Sequence, residues 1–251
     1  MPLLNRLKAR LAIFIGAGLA LASPAAANAP CARQSLQGRT VIVCTVDLTR
    51  QTLRTYWKAS DGKPYGSLAG IAARAENRPG PMLFAMNAGM YHEDMRPVGL
   101  YVEAGQTQTK ANTVAGPGNF HMRPNGVFYV SGATAGVMET RRFLASRLKA
   151  DYASQSGPML VVDGKFHPQI TGRGTSAKIR NGVGVRSATS AVFIITDEPV
   201  TFSEFARMFR DDLKCRNALY FDGSISSIYA PSVGRSDSFM RVGPIVAAFS
   251  R

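Results

Sequence analysis

Short stretches of apolar and β-branched residues recur along the chain, with turn-forming residues between them. Each stretch is four to eight residues long, a length and composition that predict β-strands rather than helices. The dipeptide Asp163-Gly164 directly follows one stretch and predicts a two-residue hairpin. The chain is thereby limited to folds in which many short strands carry the core. The stretches span residues 40–47, 53–57, 82–86, 98–103, 126–130, 159–162, 182–186, 191–196 and 218–221.

Two segments have helical character instead. Residues 67–76 lie just before a helix-breaking Pro-Gly-Pro sequence at 79–81. Residues 201–215 have apolar side chains at helical spacing, and Thr201 with Glu204 predicts a capping box at the start. The sequence contains no internal repeat and no long linker. We therefore expect an α+β fold: a single domain of many short strands in a mixed sheet with a few helices.

The charge balance is strongly basic. Among 251 residues, 30 lysines and arginines face 16 acidic residues, which gives a formal net charge of +14. Such a field favours an anionic partner, although a basic soluble protein without one remains the alternative. The basic residues are dispersed and form no nucleic-acid-binding signature, so no nucleic acid is expected as a partner. A hydrophobic content of 45% with 18% charged residues excludes a disordered chain.

The first 29 residues predict a secretory signal peptide. A head with three basic residues and no acid is followed by an apolar run of 12 residues at 11–22 and by small residues suited to a signal peptidase. The run is too short to span a bilayer stably. Cleavage after Ala27 or Ala29 is expected, and both sites remain open. We expect a domain at residues 30–251, periplasmic or secreted, with no later transmembrane span and an oligomeric state that the sequence leaves unknown.

Three cysteines lie beyond this segment: Cys31, Cys44 and Cys215. Export permits disulfides, and an odd count leaves one thiol over. We favour a Cys31–Cys44 pair, which would tie the new N-terminus to the first predicted strand. Cys215 ends a predicted helix and is expected to be a buried, inert thiol.

Four segments share one pattern, in which a strand or turn ends in glycine beside a polar residue. Such places let the backbone approach a ligand closely. The segments are MNAGMY at 86–91, SGPML at 156–160, RNGVGV at 180–185 and FDGSISS at 221–227. Each alone is a weak signal, because an apolar strand that ends in Asp-Gly is most often only a turn.

Together, in this order and spacing, the four segments resemble the phosphodiester glycosidase family. The family landmarks are an Asn-Gly-Gly-Phe-like turn, a Gly-Pro turn before a hairpin, an arginine before a glycine-rich strand and a C-terminal Asp-Gly-Gly-x-Ser. The resemblance covers about residues 82–231. Ser224 stands where the family usually has a second glycine. The resemblance implies cleavage of a sugar phosphodiester at the anomeric C–O bond, with release of a free sugar and a phosphomonoester.

The residue types suit this chemistry. Asp222 ends a strand at a glycine turn and could act on the oxocarbenium-like centre or activate water. Arg180 could bind phosphate oxygens through its guanidinium fork. Asn87 completes the predicted catalytic set. The predicted substrate-binding residues are Gly89, Gly157, Pro158, Gly223, Ser224, Ser226 and Ser227. No cofactor is expected, and no metal, because His92, Glu93 and Asp94 are adjacent in sequence and face apart.

Several alternatives stay open. A two-residue mechanism needs a second carboxylate, for which Glu103 and Asp197 are candidates. The sequence does not decide between a retaining and an inverting outcome, and it names neither the sugar nor its partner alcohol. Asp222 could be only a turn cap, and Arg180 only an ion-pair partner. The competing function is a non-catalytic periplasmic domain that binds an anionic glycan or cell-envelope polymer.

Overall fold

The computed structural model describes residues 30–75 and 78–251 of the chain. Within these residues the backbone forms three α-helices, α1 (Leu68–Arg74), α2 (Thr140–Ser146) and α3 (Phe202–Arg207). The strands are β1 (Cys31–Leu36), β2 (Arg39–Asp47), β3 (Gln51–Tyr56), β4 (Met82–Asn87), β5 (Tyr101–Glu103), β6 (Gln106–Thr109), β7 (Gly126–Ser131), β8 (Thr134–Glu139), β9 (Tyr152–Ser156), β10 (Met159–Val162), β11 (Lys165–Phe166), β12 (Asn181–Ser187), β13 (Ser190–Thr196), β14 (Asn217–Asp222), β15 (Ile228–Ala230), β16 (Arg235–Ser236) and β17 (Ile245–Ser250).

The strands form three sheets rather than the one mixed sheet expected. The largest has the order β1-β2-β13-β12-β14-β10-β11, and the two five-stranded sheets have the orders β16-β15-β4-β17-β3 and β6-β5-β9-β7-β8. Every pairing between these strands is antiparallel. A parallel pair needs a long crossover, whereas many neighbours here are joined by short turns. The expectation of many short strands and few helices is confirmed, and the fold is richer in strands than predicted.

Four phenylalanines mark where the three sheets meet. Phe193 and Phe221 come from the seven-stranded sheet. Phe84 comes from the five-stranded sheet that contains β17 (the β17 sheet), and Phe128 from the one that contains β7 (the β7 sheet). All four are fully buried. The ring of Phe193 lies 5.3 Å from that of Phe84 and 5.6 Å from that of Phe128. Burial of one such side chain contributes about 1.5–3 kcal/mol. The sheets therefore share one core, which fixes their strand ends relative to one another.

Helix α3 covers the other face of the seven-stranded sheet. The backbone N–H of Glu204 donates to the Thr201 hydroxyl at 3.2 Å, and the Thr201 N–H donates to the Glu204 carboxylate at 2.8 Å. The predicted capping box is thereby confirmed. The α-helix ends earlier than expected, because the chain widens into a π-helical turn at Met208–Asp212. Phe205 and Phe209 are buried against the sheet.

The cysteine predictions are confirmed. Cys31 and Cys44 form a disulfide between paired positions of β1 and β2. Cys215 is a free, buried thiol, and burial raises its pKa to about 12. The predicted hairpin at Asp163-Gly164 also forms, since Val162 pairs with Lys165 across it.

The predicted signal peptide, residues 1–29, lies outside the described residues. In the part of the chain that the structure describes, no helix has the length and apolar character needed to cross a membrane.

Candidate active site

Three strand ends and one loop bring the predicted catalytic residues to the same end of the core. Asn87 is the last residue of β4, Asn181 is the first of β12, and Asp222 is the last of β14. Asn181 and Asp222 are partners across the β12–β14 pairing. The loop that follows β14 carries Ser226 and Ser227 back to Asn87. Residues far apart in sequence therefore form one polar cluster, which we call the Asp222 cluster: Asn87, Arg180, Asn181, Asp222, Gly223, Ser224, Ser226 and Ser227.

Asn87 and Asn181 join two sheets within this cluster. The Asn181 side-chain amide donates at 2.8 Å both to the backbone carbonyl of Asn87 and to its side-chain oxygen. The same Asn87 oxygen accepts from the backbone N–H of Ser227 at 2.9 Å. The Asn87 Nδ2 group is buried and makes no hydrogen bond with the described residues. The side-chain oxygen of Asn87 is therefore held by two hydrogen bonds, and its Nδ2 group remains an unused donor among the described residues.

Asp222 is a carboxylate with an oriented and desolvated environment. Its Oδ1 accepts from the backbone N–H groups of Gly223 at 2.6 Å and Ser224 at 2.8 Å. The residue is 7% exposed and makes no ion pair with the described residues. Burial raises the pKa of Asp222 above its usual range, while the backbone donors oppose that rise. The result is a carboxylate held in one orientation and more basic than a surface aspartate.

Arg180 is also a buried charge, with 1% of its surface exposed. Its Nε donates to the Val200 carbonyl and its Nη2 to the Ser176 carbonyl, both at 2.8 Å. The guanidinium stacks on the Phe202 ring at 3.8 Å. Nη1 is buried without a hydrogen bond of normal geometry, and no carboxylate among the described residues pairs with the charge. Burial lowers the pKa of Arg180, and the neighbouring Tyr220 hydroxyl opposes that shift.

Gly223 lies directly against Tyr220 and Arg180. A Cβ at this position would lie 2.2 Å from the Tyr220 hydroxyl oxygen and 3.3 Å from Arg180 Nη1. Any other residue at 223 would therefore displace its neighbours. Ser224 needs no left-handed backbone angle, so a serine fits where the family usually has glycine.

The two serines of the loop have different roles. The Ser226 hydroxyl donates to the carbonyls of Asp222 at 3.0 Å and Ile179 at 3.1 Å, which closes the loop onto β12 and β14. Ser227 uses its backbone to hold Asn87. Residues 223–227 also form one wall of a surface cleft of about 270 Å³. The cleft therefore borders the cluster along residues 223–227, and its lining does not include Asn87, Arg180 or Asp222.

Gly89, Gly157 and Pro158 lie where sheets and loops pack closely. A Cβ on Gly89 would lie 2.9 Å from the Ser154 hydroxyl, and one on Gly157 would lie 2.6 Å from the Phe120 carbonyl. The Pro158 carbonyl accepts from the Tyr220 N–H at 3.1 Å. In this structure the contacts of these three residues are with protein, and they support β9 and β14 beside the cluster.

The two candidates for a second carboxylate have different surroundings. Glu103 accepts from the Tyr101 hydroxyl at 3.1 Å, and burial raises its pKa. None of its hydrogen-bond partners belongs to the Asp222 cluster. Asp197 is paired with Arg33 and with Arg235. Arg235 lines the same cleft as residues 223–227, so Asp197 is connected to the site, but both of its oxygens are engaged.

Neither Asn181 nor Tyr220 was predicted from the sequence as a site residue. Asn181 stood within a motif, but its partnership with Asp222 depends on strand register. Burial is the main cause that raises the pKa of Tyr91 to about 12, and the negative charge of Asp222 adds to the rise. Asp222 also raises the pKa of Tyr220, again after burial. Two phenols therefore lie near the carboxylate. Within the described ranges, no group of three or more His, Cys, Asp or Glu side chains converges as a metal centre requires.

Two sequence comparisons show what this chain is similar to. The sequence profile of the phosphodiester glycosidase family matches residues 82–239, which contain the whole Asp222 cluster. A protein of Escherichia coli K12 described as uncharacterized protein YigE is 38% identical over 190 residues. The matched part covers 76% of this chain and 74% of that protein.

Solved structures share the fold. The catalytic domain of zebrafish N-acetylglucosamine-1-phosphodiester alpha-N-acetylglucosaminidase, auto-inhibited by its pro-peptide, superposes with a TM-score of 0.58 at 13% identity, covering 88% of this chain and 82% of that one. A hypothetical protein from Synechocystis gives a TM-score of 0.54 at 15% identity, covering 88% and 61%. Because the family profile spans more than half of the chain and the bacterial relative matches about three quarters of it, this chain belongs to the phosphodiester glycosidase family.

Proposed function

We propose that this protein is an exported hydrolase that cleaves the glycosidic bond of a sugar phosphodiester and releases a free sugar and a phosphomonoester. The family supports the reaction class, since its description names this chemistry. The substrate part of the proposal rests on the Asp222 cluster itself.

One observation carries the proposal: two buried charges of opposite sign lie in one cluster, and neither forms an ion pair with any residue that the structure describes. Arg180 is 1% exposed and Asp222 is 7% exposed. A buried charge without an ionic partner costs stability, so such a group is a candidate for a functional one. Gly223, the residue after Asp222, also lies beside Arg180, since a Cβ there would lie 3.3 Å from Arg180 Nη1. A substrate with an anionic phosphate beside an electrophilic carbon suits both charges at once.

The reaction breaks the bond between the anomeric carbon and the phosphate oxygen. The electron pair of that bond stays on the oxygen, which leaves as part of a phosphomonoester, and water supplies the new hydroxyl at the anomeric carbon. Asp222 serves this centre in one of two ways: it attacks the carbon, or it takes a proton from the attacking water. Its raised pKa makes it a better base than a surface aspartate.

Arg180 is proposed to stabilise the leaving group. A phosphate is already a weak base, so its departure needs positive charge more than it needs a strong acid. Two of the guanidinium nitrogens hold the side chain to the backbone carbonyls of Ser176 and Val200. Nη1 is then the nitrogen left to approach a phosphate oxygen. Asn87, with its unused Nδ2 donor, is placed to bind a sugar hydroxyl or a phosphate oxygen.

The direct test is turnover of an activated substrate, such as a sugar 1-phosphate esterified to 4-nitrophenol, by the purified protein. The expected products are the free sugar and 4-nitrophenyl phosphate in equal amounts. Asp163→Asn is a matched control, because Asp163 also precedes a glycine in a turn but pairs with Arg142 at the surface. Saturable binding of the substrate without turnover would contradict catalysis and support the binding-only alternative.

Export is proposed as well, on the strength of the basic head, apolar run and small-residue exit in residues 1–29. Intact mass measured on protein recovered from the periplasm should lack the first 27 or 29 residues and two hydrogens, the latter because of the Cys31–Cys44 disulfide. Recovery of the full-length N-terminus would contradict it.

A further inference from the structure

An apolar rim borders the cleft beside the Asp222 cluster. Its side chains are Ile179, Phe239 and Met240. Phe239 is 92% exposed and Met240 is 56% exposed. Among the described residues only five large hydrophobic side chains are exposed, and these three line one cleft. Single exposed apolar side chains are ordinary, but a cluster at a cleft marks a binding surface.

The rim is attached to a fixed base. Asp237 receives a hydrogen bond from the Ile228 N–H at 2.9 Å and donates its own N–H to the Ile228 carbonyl at 3.0 Å. Arg235 pairs with Asp237 at 3.0 Å and with Asp197 at 2.5 Å. Phe239 and Met240 follow this anchored segment directly, so they are held near the cleft.

The rim also adjoins the group proposed to hold phosphate. Ile179 immediately precedes Arg180, and its carbonyl accepts from the Ser226 hydroxyl at 3.1 Å. The polar side of the site is formed by Asn87, Asn181 and Asp222, which suit a sugar. The cleft beside the cluster offers aliphatic and aromatic carbon, which suits a hydrocarbon group.

We propose that this apolar rim binds the alcohol portion of the substrate, and that this portion is a hydrocarbon chain esterified to the phosphate. The inference rests on the proposed function, since it names the substrate class for the same site: a sugar linked through phosphate to an alkyl or isoprenoid alcohol. The gain from burying a hydrocarbon chain grows with the area covered, so even partial coverage gives measurable affinity.

Octyl phosphate and ethyl phosphate test the rim without any turnover, because they carry the anionic group and no sugar. Titration calorimetry on the purified protein, with octyl phosphate below the concentration at which it forms micelles, should give at least tenfold tighter binding of the octyl ester. In the double variant Phe239→Ser, Met240→Ser the difference should fall below threefold. Leu144→Ser is the matched control, since Leu144 is a similarly exposed apolar residue on α2 outside the cleft, and it should keep the full difference.

Equal affinity for the two esters, or a difference that persists in the double variant, would overturn the proposal. The two hypotheses can fail separately. If the protein cleaves sugar phosphodiesters but binds the two esters with equal affinity, the proposed role of the rim is wrong and the proposed hydrolase activity stands. If the protein prefers the octyl ester, loses that preference in the double variant and cleaves no diester, the proposed role of the rim stands and the proposed hydrolase activity is wrong.

Discussion

The side-chain amide of Asn181 bridges to Asn87, with one 2.8 Å hydrogen bond to its backbone carbonyl and one to its side-chain oxygen. Asn181 belongs to the seven-stranded sheet and Asn87 to the β17 sheet, so the contact sets the spacing of two sheets at the site. Because Asn181 is also the cross-strand partner of Asp222, the contact fixes the distance from the carboxylate to Asn87.

Asn181→Ala should therefore weaken both the fold and the reaction. Each lost hydrogen bond is worth about 0.5–1.5 kcal/mol, and Asn87 would lose two hydrogen bonds, both from the Asn181 amide. We expect a lower thermal midpoint and a fall in kcat of about tenfold or more at a temperature where the variant is folded.

Asn217→Ala is the control for this variant. Asn217 begins β14 and accepts from the Asp163 N–H at 2.9 Å, at the opposite end of the strand. It should lower stability without lowering kcat. A loss of kcat in Asn217→Ala equal to that in Asn181→Ala would make the effect one of general stability.

Asp222→Asn should remove turnover while the protein stays folded. An amide is nearly isosteric and its oxygen can still accept from the Gly223 and Ser224 N–H groups. It cannot attack carbon, take a proton from water or offset a positive centre. We expect kcat to fall by a factor on the order of 10² or more, measured beside thermal unfolding. Wild-type turnover in the variant would exclude Asp222 as the catalytic carboxylate and favour Asp197 or Glu103.

The raised pKa of Asp222 predicts a pH dependence of both activity and stability. Only the ionised carboxylate acts, so kcat should fall on acidification with a midpoint above 3.8, the ordinary value for this side chain. The folded protein holds this proton more tightly than the unfolded chain does. The stability that the protonated carboxyl contributes is thus full below the unfolded pKa and is lost as pH rises through the folded pKa.

Thermal unfolding across pH checks the second half of this prediction. The wild type loses stability as the Asp222 carboxyl ionises, and the Asp222→Asn variant does not. The thermal midpoint of the variant should therefore rise relative to that of the wild type as the pH increases from acid to neutral. A midpoint that falls relative to wild type over the same range would mean that the native site stabilises the ionised form.

Arg180→Lys should weaken binding of a sugar 1-phosphate by about tenfold or more, although the charge is kept. A lysine has one terminal nitrogen and cannot hold the Ser176 and Val200 carbonyls while it also contacts phosphate. Titration calorimetry gives the affinity, and thermal unfolding confirms that the variant is folded at the assay temperature.

Arg186→Lys is the matched control for that variant, since Arg186 Nε likewise donates to a backbone carbonyl, that of Leu213, at 3.0 Å. Its effect on affinity should be negligible. Indistinguishable affinity in wild type and Arg180→Lys would exclude Arg180 from the phosphate site.

The strands that sequence patterns predict carry much of the core. Residues 191–196, for example, are a continuous apolar run, because β13 is covered on both faces. Strand β17 was not predicted, although it is central in its sheet. Its sequence, IVAAFS, has two alanines at its centre and no alternating pattern, and its state is set by pairing with β3 and β4 on either side.

Local sequence signals likewise predicted some residues of the site, and tertiary pairing determined the others. Asp222 and Arg180 could be selected because each adjoins a glycine-rich turn or strand in the sequence. Asn181 could not be selected, because its role depends on its position opposite Asp222 and on its hydrogen bond to Asn87. Both depend on strand pairing, which the local sequence does not specify. The short π-helical turn after α3 was also beyond local prediction, since apolar spacing alone indicates a helix that continues to residue 215.

Hydrolysis in water enriched in ¹⁸O tests whether the protein breaks the bond between the anomeric carbon and the bridging oxygen or the bond between that oxygen and phosphorus. The products of an activated sugar phosphodiester would be analysed by mass spectrometry, with the Asp222→Asn variant as the blank. We expect the label to enter the free sugar at the anomeric position and the phosphomonoester to carry none. Label in the phosphomonoester would show cleavage of a P–O bond and would contradict a glycosidase mechanism at this site.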